Sequence, residues 1–216
     1  MNPDSESDAG AHKNLRQRLK EATRDAILVS AEQVFGKDGL HAARMEDVAQ
    51  SAGVSVGTLY NYFHDRAGLV DALLEERRAG LVKKLDGALS EVDERPFAEQ
   101  LETVLHVLLA HFEAHRQFLS IVMQGEHAQD SSVFPASRRP RETMRAVYLR
   151  LAELSERGVQ SGELRAKSAD LYAALLMGMI RSLLIRTLYE TEATSPVTER
   201  APELAAFFLH GAATQR

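Results

Sequence analysis

Residues 44–63, RMEDVAQSAGVSVGTLYNYF, decide the fold, because two short helical patterns meet there across a Gly-Val-Ser corner. Met45, Val48 and Ala49 recur at helical spacing, Gly53 can take the positive φ that ends a helix, and Ser55 can cap the next one. After the corner Leu59 and Phe63 lie four apart on an inward face, which leaves Val56, Gly57, Thr58, Tyr60 and Tyr62 outward or at the flank. The second helix therefore presents an almost uncharged outer surface.

That surface suits the major groove of DNA. A reading helix must bring its first turn close to the base edges, and Gly57 removes a side chain at the tightest approach. Thr58 and Tyr60 carry hydroxyls for phosphate or base-edge bonds, and the free N–H groups after Ser55 face a phosphate well. The same spacing also suits a plain αα-hairpin with no nucleic-acid role, and helix pattern alone leaves both readings open.

Working outward, the stretch resembles the TetR-type bacterial transcriptional repressors from about Thr23 to Leu73. An opening helix with Ile27, Ala31 and Phe35 at four-residue steps, followed by Gly39, is similar to the family's first helix. Asp47-Val48-Ala49, Ala52-Gly53-Val54-Ser55, Gly57-Thr58-Leu59-Tyr60 and Tyr62-Phe63 follow in the family's order, with Arg66 and Leu69 opening a fourth helix. Three positions depart from the pattern: Arg44 replaces the usual capping Thr or Ser, Val56 a frequent polar residue, and Asn61 a frequent His. The resemblance implies that Arg44, Ser55, Val56, Gly57, Thr58, Tyr60, Tyr62 and Arg66 form the DNA-binding set.

With 216 residues, 44% hydrophobic and 26% charged, the chain has the composition of an ordinary soluble protein and the length for a small reading domain plus a larger one. It contains no cysteine, so disulfides, thiolate metal sites and cysteine nucleophiles are excluded. The net charge of −5 does not suggest a DNA binder. Lys13, Arg16, Arg18, Lys20 and Arg24 nevertheless cluster before the opening helix, either as an arm on phosphates or as an extension of that helix through Leu15, Leu19 and Ala22. The expected organisation is a disordered acidic tail over residues 1–12, a helix-turn-helix domain over 13–66 and a helical domain over 67–216.

Asp65 can cap a long helix from Arg66 to about Leu89, Pro96 opens another, and Gly162 closes a later one. No strand pattern intervenes, so an all-α fold of about nine helices is expected: a three-helix reading domain and a larger C-terminal one. The acidic N-terminus has no apolar signal region, and the apolar run 171–185 is shorter than the roughly 20 residues a bilayer requires and is broken by Arg181. A cytoplasmic protein without a membrane role is expected.

Ala174, Gly178 and Ser182 form a small-residue stripe, flanked by Leu171 and Leu175, along the penultimate helix. Leu204, Phe207 and Phe208 add bulk from the last. The resemblance implies that these two helices pair with their copies in a homodimer that binds an inverted-repeat operator. It also implies a small-molecule effector in a cavity among the middle helices, for which Leu105, Leu109, Phe112, Phe118, Met123, Tyr148, Met177 and Arg181 are the candidates. His111 and His115 stand one turn apart, with His106 and His127 as further donors, but two histidines do not define a metal site, and no metal or cofactor is expected. There is no nucleophile elbow, phosphate loop or dinucleotide fingerprint, so no enzyme is expected either. Two alternatives stay open: a DNA-binding regulator without a small-molecule ligand, and a helical protein-interaction module that has lost DNA binding.

Overall fold

The structure, a computed structural model, describes residues 4–40, 42–127, 139–165, 168–189 and 195–212, with the side chains of 4–13, 123–127, 139–141 and 212 set aside. Nine α-helices and one 3-10 turn make up the described residues, with no β-strand among them. They are α1 (Asp4–Asp38), α2 (Met45–Ser51), α3 (Val56–Tyr62), α4 (Arg66–Glu91), α5 (Phe97–Ala114), α6 (Arg116–His127), α7 (Arg139–Gln160), α8 (Ala169–Tyr189), the turn Val197–Arg200 and α9 (Ala201–Ala212). Internal contacts divide the chain into two compact units, Met1–Leu73 and Leu74–Arg216.

In the first unit α1 and α4 enclose the two short helices. Ile27, Leu28, Ala31 and Phe35 of α1 are buried, as are Val48 and Ala49 of α2, Leu59 of α3 and Leu69, Val70 and Leu73 of α4. This is the inward set that the apolar spacing marks out, so burial of these side chains is the main force holding α2 and α3 in place. Gly39, at φ 82°, ends α1 and donates its N–H to the Phe35 carbonyl at 3.0 Å. Residues 4–12, expected as a disordered tail, belong instead to α1. The basic segment after them is likewise an extension of this helix: its charged residues are helix formers and no proline interrupts them.

The corner between α2 and α3 is closed by backbone bonds. Val54 N–H reaches back to the Ala49 carbonyl at 3.0 Å and Gly53 N–H to that of Gln50 at 3.2 Å, the paired pattern of a helix end with a left-handed residue. Gly53 supplies that residue at φ 67°.

The second unit is a helical bundle. α7 and α8 share its most extensive helix-to-helix packing, α5 packs on α9, and α6 on α7. Its core includes Leu81 and Leu85 of α4, Leu101, Val104 and Leu108 of α5, Leu151 and Leu154 of α7, and Leu176 and Ile180 of α8. Pro96 gives α5 no side-chain cap, and the carboxylate of Glu163, beyond α7, accepts the Phe97 N–H at 3.0 and 3.1 Å instead. Arg150 holds Asp86 through two bonds of 2.9 and 3.1 Å and so fixes α7 to α4.

α8 corrects one expectation. It is 21 residues long with a mean hydropathy of 1.5, so length does not separate it from a bilayer-crossing helix. One face of it, Tyr172, Ala173, Leu176, Ile180 and Leu184, is buried within the bundle.

Candidate nucleic-acid interface

Ser55 organises the start of α3. Its backbone is extended, and its Oγ accepts the Thr58 N–H at 3.0 Å, which satisfies one of the helix's free donors. The same Oγ lies 2.8 Å from the Thr58 hydroxyl, so these two side chains are engaged with each other and Thr58 is half-buried. The outermost residues of α3 are Val56, Gly57, Tyr60 and Asn61, with Tyr60 46% exposed and Val56 36%. A Cβ on Gly57 would meet nothing closer than the Ser55 hydroxyl at 3.9 Å, so no contact within the chain requires glycine there. Tyr62 is half-buried, its ring centroid 6.5 Å from that of Phe63.

Arg44 precedes α2 with extended backbone and no capping bond, and it is exposed. The cap that its residue type puts in doubt is therefore missing, while its guanidinium lies on the surface. Arg66 behaves differently. It is half-buried, and its guanidinium donates to the carbonyl of Ala43 at 3.1 Å and to that of Leu40. The residue expected to reach DNA instead ties the α1–α2 connection to α4, because two loop carbonyls lie within range of a planar fork of donors. Asp65 caps α4 as its position suggests, accepting the Gly68 N–H at 2.7 Å.

A family model, bacterial regulatory proteins of the tetR family, matches residues 27–73, the segment that builds α2, α3 and their supports. This segment is a TetR-family DNA-binding domain. The probable HTH-type transcriptional regulator YttP of Bacillus subtilis (strain 168) is 25% identical over 190 residues, 88% of each chain. The fatty acid metabolism regulator protein of the same organism is 24% identical over 182 residues, 83% of this chain and 87% of that one. Among solved structures, the fatty acid degradation regulator FadR from Bacillus halodurans superposes with a TM-score of 0.75 at 19% identity, covering 87% of this chain and 98% of its own. FadR from Bacillus subtilis in complex with stearoyl-CoA gives 0.73 at 16%, with 86% and 97% covered. With that domain, and with transcriptional regulators as its relatives, the protein is a DNA-binding transcriptional regulator and not an enzyme.

The second unit of the chain holds the other sets. Leu105, Leu109, Phe112 and Phe118 are all buried, and the rings of Phe112 and Phe118 stack 6.2 Å apart at an interplanar angle of 7°. Tyr148, Met177 and Arg181 are half-buried on α7 and α8, and the side chain of Met123 lies outside the described set. The Tyr148 hydroxyl donates to the Asp170 carbonyl oxygen at 3.2 Å, and its pKa is raised by partial burial and by the Asp170 carboxylate. His111 is buried edge-on against Phe112 and Phe118, with the His115 ring 4.8 Å away, and the described residues contain no cluster of metal-ligating groups.

Of the dimer candidates, Leu171, Ala174, Leu175, Gly178 and Ser182 form one exposed face of α8, and Phe207 on α9 is 74% exposed. Leu204 is half-buried. Phe208 departs from the set: it is 5% exposed and packs edge-on against Tyr172 at 5.8 Å, so it is core. Sequence reasoning also missed an open groove of about 540 Å³ between α5 and the start of α9, whose walls include Arg95, Glu102, His106 and Pro202. Its residues lie on different elements, and none stands out by type, so no local pattern announces it.

Proposed function

We propose that the protein is a cytoplasmic homodimeric repressor that reads an inverted-repeat operator through α3 and leaves it when a long-chain acyl thioester binds the second unit. The observation that carries the DNA half of this reading is the division of α3: Leu59 is buried, while Val56, Gly57 and Tyr60 are exposed. Val56 offers an apolar contact to thymine methyls, Gly57 a close approach, Tyr60 a hydroxyl and Arg44 a charge for a phosphate. Ser55 and Thr58 act through the geometry of the helix start. Dimerisation follows from the exposed apolar face of α8 with Phe207, since a contiguous patch of this kind marks an interface.

The effector class rests on the fatty acid metabolism relative and on the stearoyl-CoA complex of the structural neighbour. Within this chain the support is the buried, mainly apolar cluster of Leu105, Leu109 and Phe112 from α5 and Phe118 from α6, with the His111 ring against both phenylalanines. Because Phe112 and Phe118 are stacked and buried, an acyl chain entering there has to part them, and that displacement can be relayed to neighbouring helices.

The test is to capture genomic fragments with the purified protein, sequence them, and titrate the recovered duplex with stearoyl-CoA. An inverted repeat released by stearoyl-CoA, and not by free coenzyme A, is the expected result. Retention of a duplex that no acyl thioester releases would favour a ligand-independent regulator. Failure to retain any duplex would sink the proposal.

A further inference from the structure

α1 carries a second apolar line that its own unit does not use. Leu15, Leu19, Ala22, Ala26 and Val29 follow one another at steps of four, three, four and three residues, the spacing of a coiled-coil seam. All five are exposed, Leu15 to 53%, Leu19 to 58% and Val29 to 46%; residues 14–22 are exposed on every side, and the buried residues Ile27, Leu28, Ala31 and Phe35 begin further along the helix. Arg18 and Asp25 flank the line on one side, seven residues apart, and both are exposed.

We propose that this seam docks a second copy of the chain, α1 against α1 in antiparallel orientation, and so joins dimers into a higher assembly. Orientation and occupant both come from complementarity. In the antiparallel register Leu15 faces the partner's Ala26 and Leu19 faces the partner's Ala22, so every layer sets a large side chain against a small one. The same register places Arg18 beside the partner's Asp25, and by symmetry this happens twice. A parallel pairing would instead stack leucine on leucine and alanine on alanine, and would bring Arg18 to the partner's Thr23.

Four layers are fewer than a free coiled coil needs. Here, however, α1 is already helical through these layers and is held to its unit by Ile27, Leu28, Ala31 and Phe35 just beyond them, so little ordering is lost on docking. Lys20 points away from the seam, and the Arg24 guanidinium lies 3.9 Å from the Asp25 carboxylate of its own chain. Two dimers held on adjacent sites of one duplex would meet at a high effective concentration, where so short a contact suffices.

Sedimentation of the full chain over a range of concentrations tests this. The wild type should pass from dimer to tetramer, whereas Leu15→Glu/Leu19→Glu should stay dimeric with unchanged melting, because both leucines are exposed. Arg18→Asp and Asp25→Arg should each weaken the tetramer roughly three- to tenfold, and the double swap should restore it. Either a wild type that never exceeds a dimer or a double swap no better than its singles overturns the proposal. Loss of binding to vesicles of anionic lipid in the leucine variant, with its mass distribution unchanged, would assign the seam to a membrane surface and overturn it as well.

Discussion

Tyr60 and Arg66 are six residues apart, and both are expected at the DNA, yet their side chains have opposite surroundings. Tyr60 is 46% exposed on α3, outside the buried core of its unit. Tyr60→Ala should therefore weaken operator binding by about tenfold, the worth of one good polar or apolar base contact, while melting shifts by less than about 0.5 kcal/mol in stability. Gel-shift titration beside a thermal melt separates the two. Arg66 satisfies the carbonyls of Leu40 and Ala43. Arg66→Ala should cost about 1–3 kcal/mol of stability through the unpaired acceptors, and Arg66→Lys should recover only part of it, because an ammonium cannot reproduce the two-pronged fork. A melt unchanged by Arg66→Ala would return this residue to the DNA contacts. Sequence position places Arg66 at the start of α4 but does not orient it, since a long flexible side chain reaches loop or solvent equally well.

At the level of the helix, the legible features are those set by one residue's local chemistry. Gly39 and Gly53 end helices through positive φ, Ser55 and Asp65 begin them through a side-chain acceptor, and each does so where its type suggests. Faces were less legible where two apolar residues adjoin. Phe207 and Phe208 read alike in sequence, and only packing against Tyr172 sends one into the core and leaves the other outside. The capping of α5 by Glu163 is not legible at all, because donor and acceptor are 66 residues apart. Gly158 shows a long-range constraint of the same kind. In the last turn of α7, where alanine would gain at most about 1 kcal/mol in helix propensity, a Cβ would lie 2.7 Å from the Phe97 ring and 2.9 Å from Leu164. Gly158→Ala should thus lower stability by about 1–3 kcal/mol from overpacking. A calorimetric melt checks this, and a higher melting temperature would mean that the Phe97 ring can yield.

For the whole molecule, pairing through the exposed face of α8, as proposed, would set how many copies of α3 meet one operator. A short helix reads too few base pairs to single out a site in a genome, whereas two copies related by a two-fold axis read half-sites about 34–36 Å apart. Leu175 is 52% exposed at the middle of that face, beside Ala174 and Gly178, so it can be changed without touching the bundle core. Leu175→Glu would set a carboxylate against its own symmetry mate, an arrangement that costs an interface its stability because neither charge finds a partner. The variant should sediment as a monomer with its helical content intact. Its affinity for the full operator should fall by about a hundredfold or more, since the second half-site no longer gains from the first, while its affinity for an isolated half-site stays at the wild-type value. If the glutamate variant remains dimeric and keeps full operator affinity, the pairing surface lies elsewhere and the apolar face of α8 has another occupant.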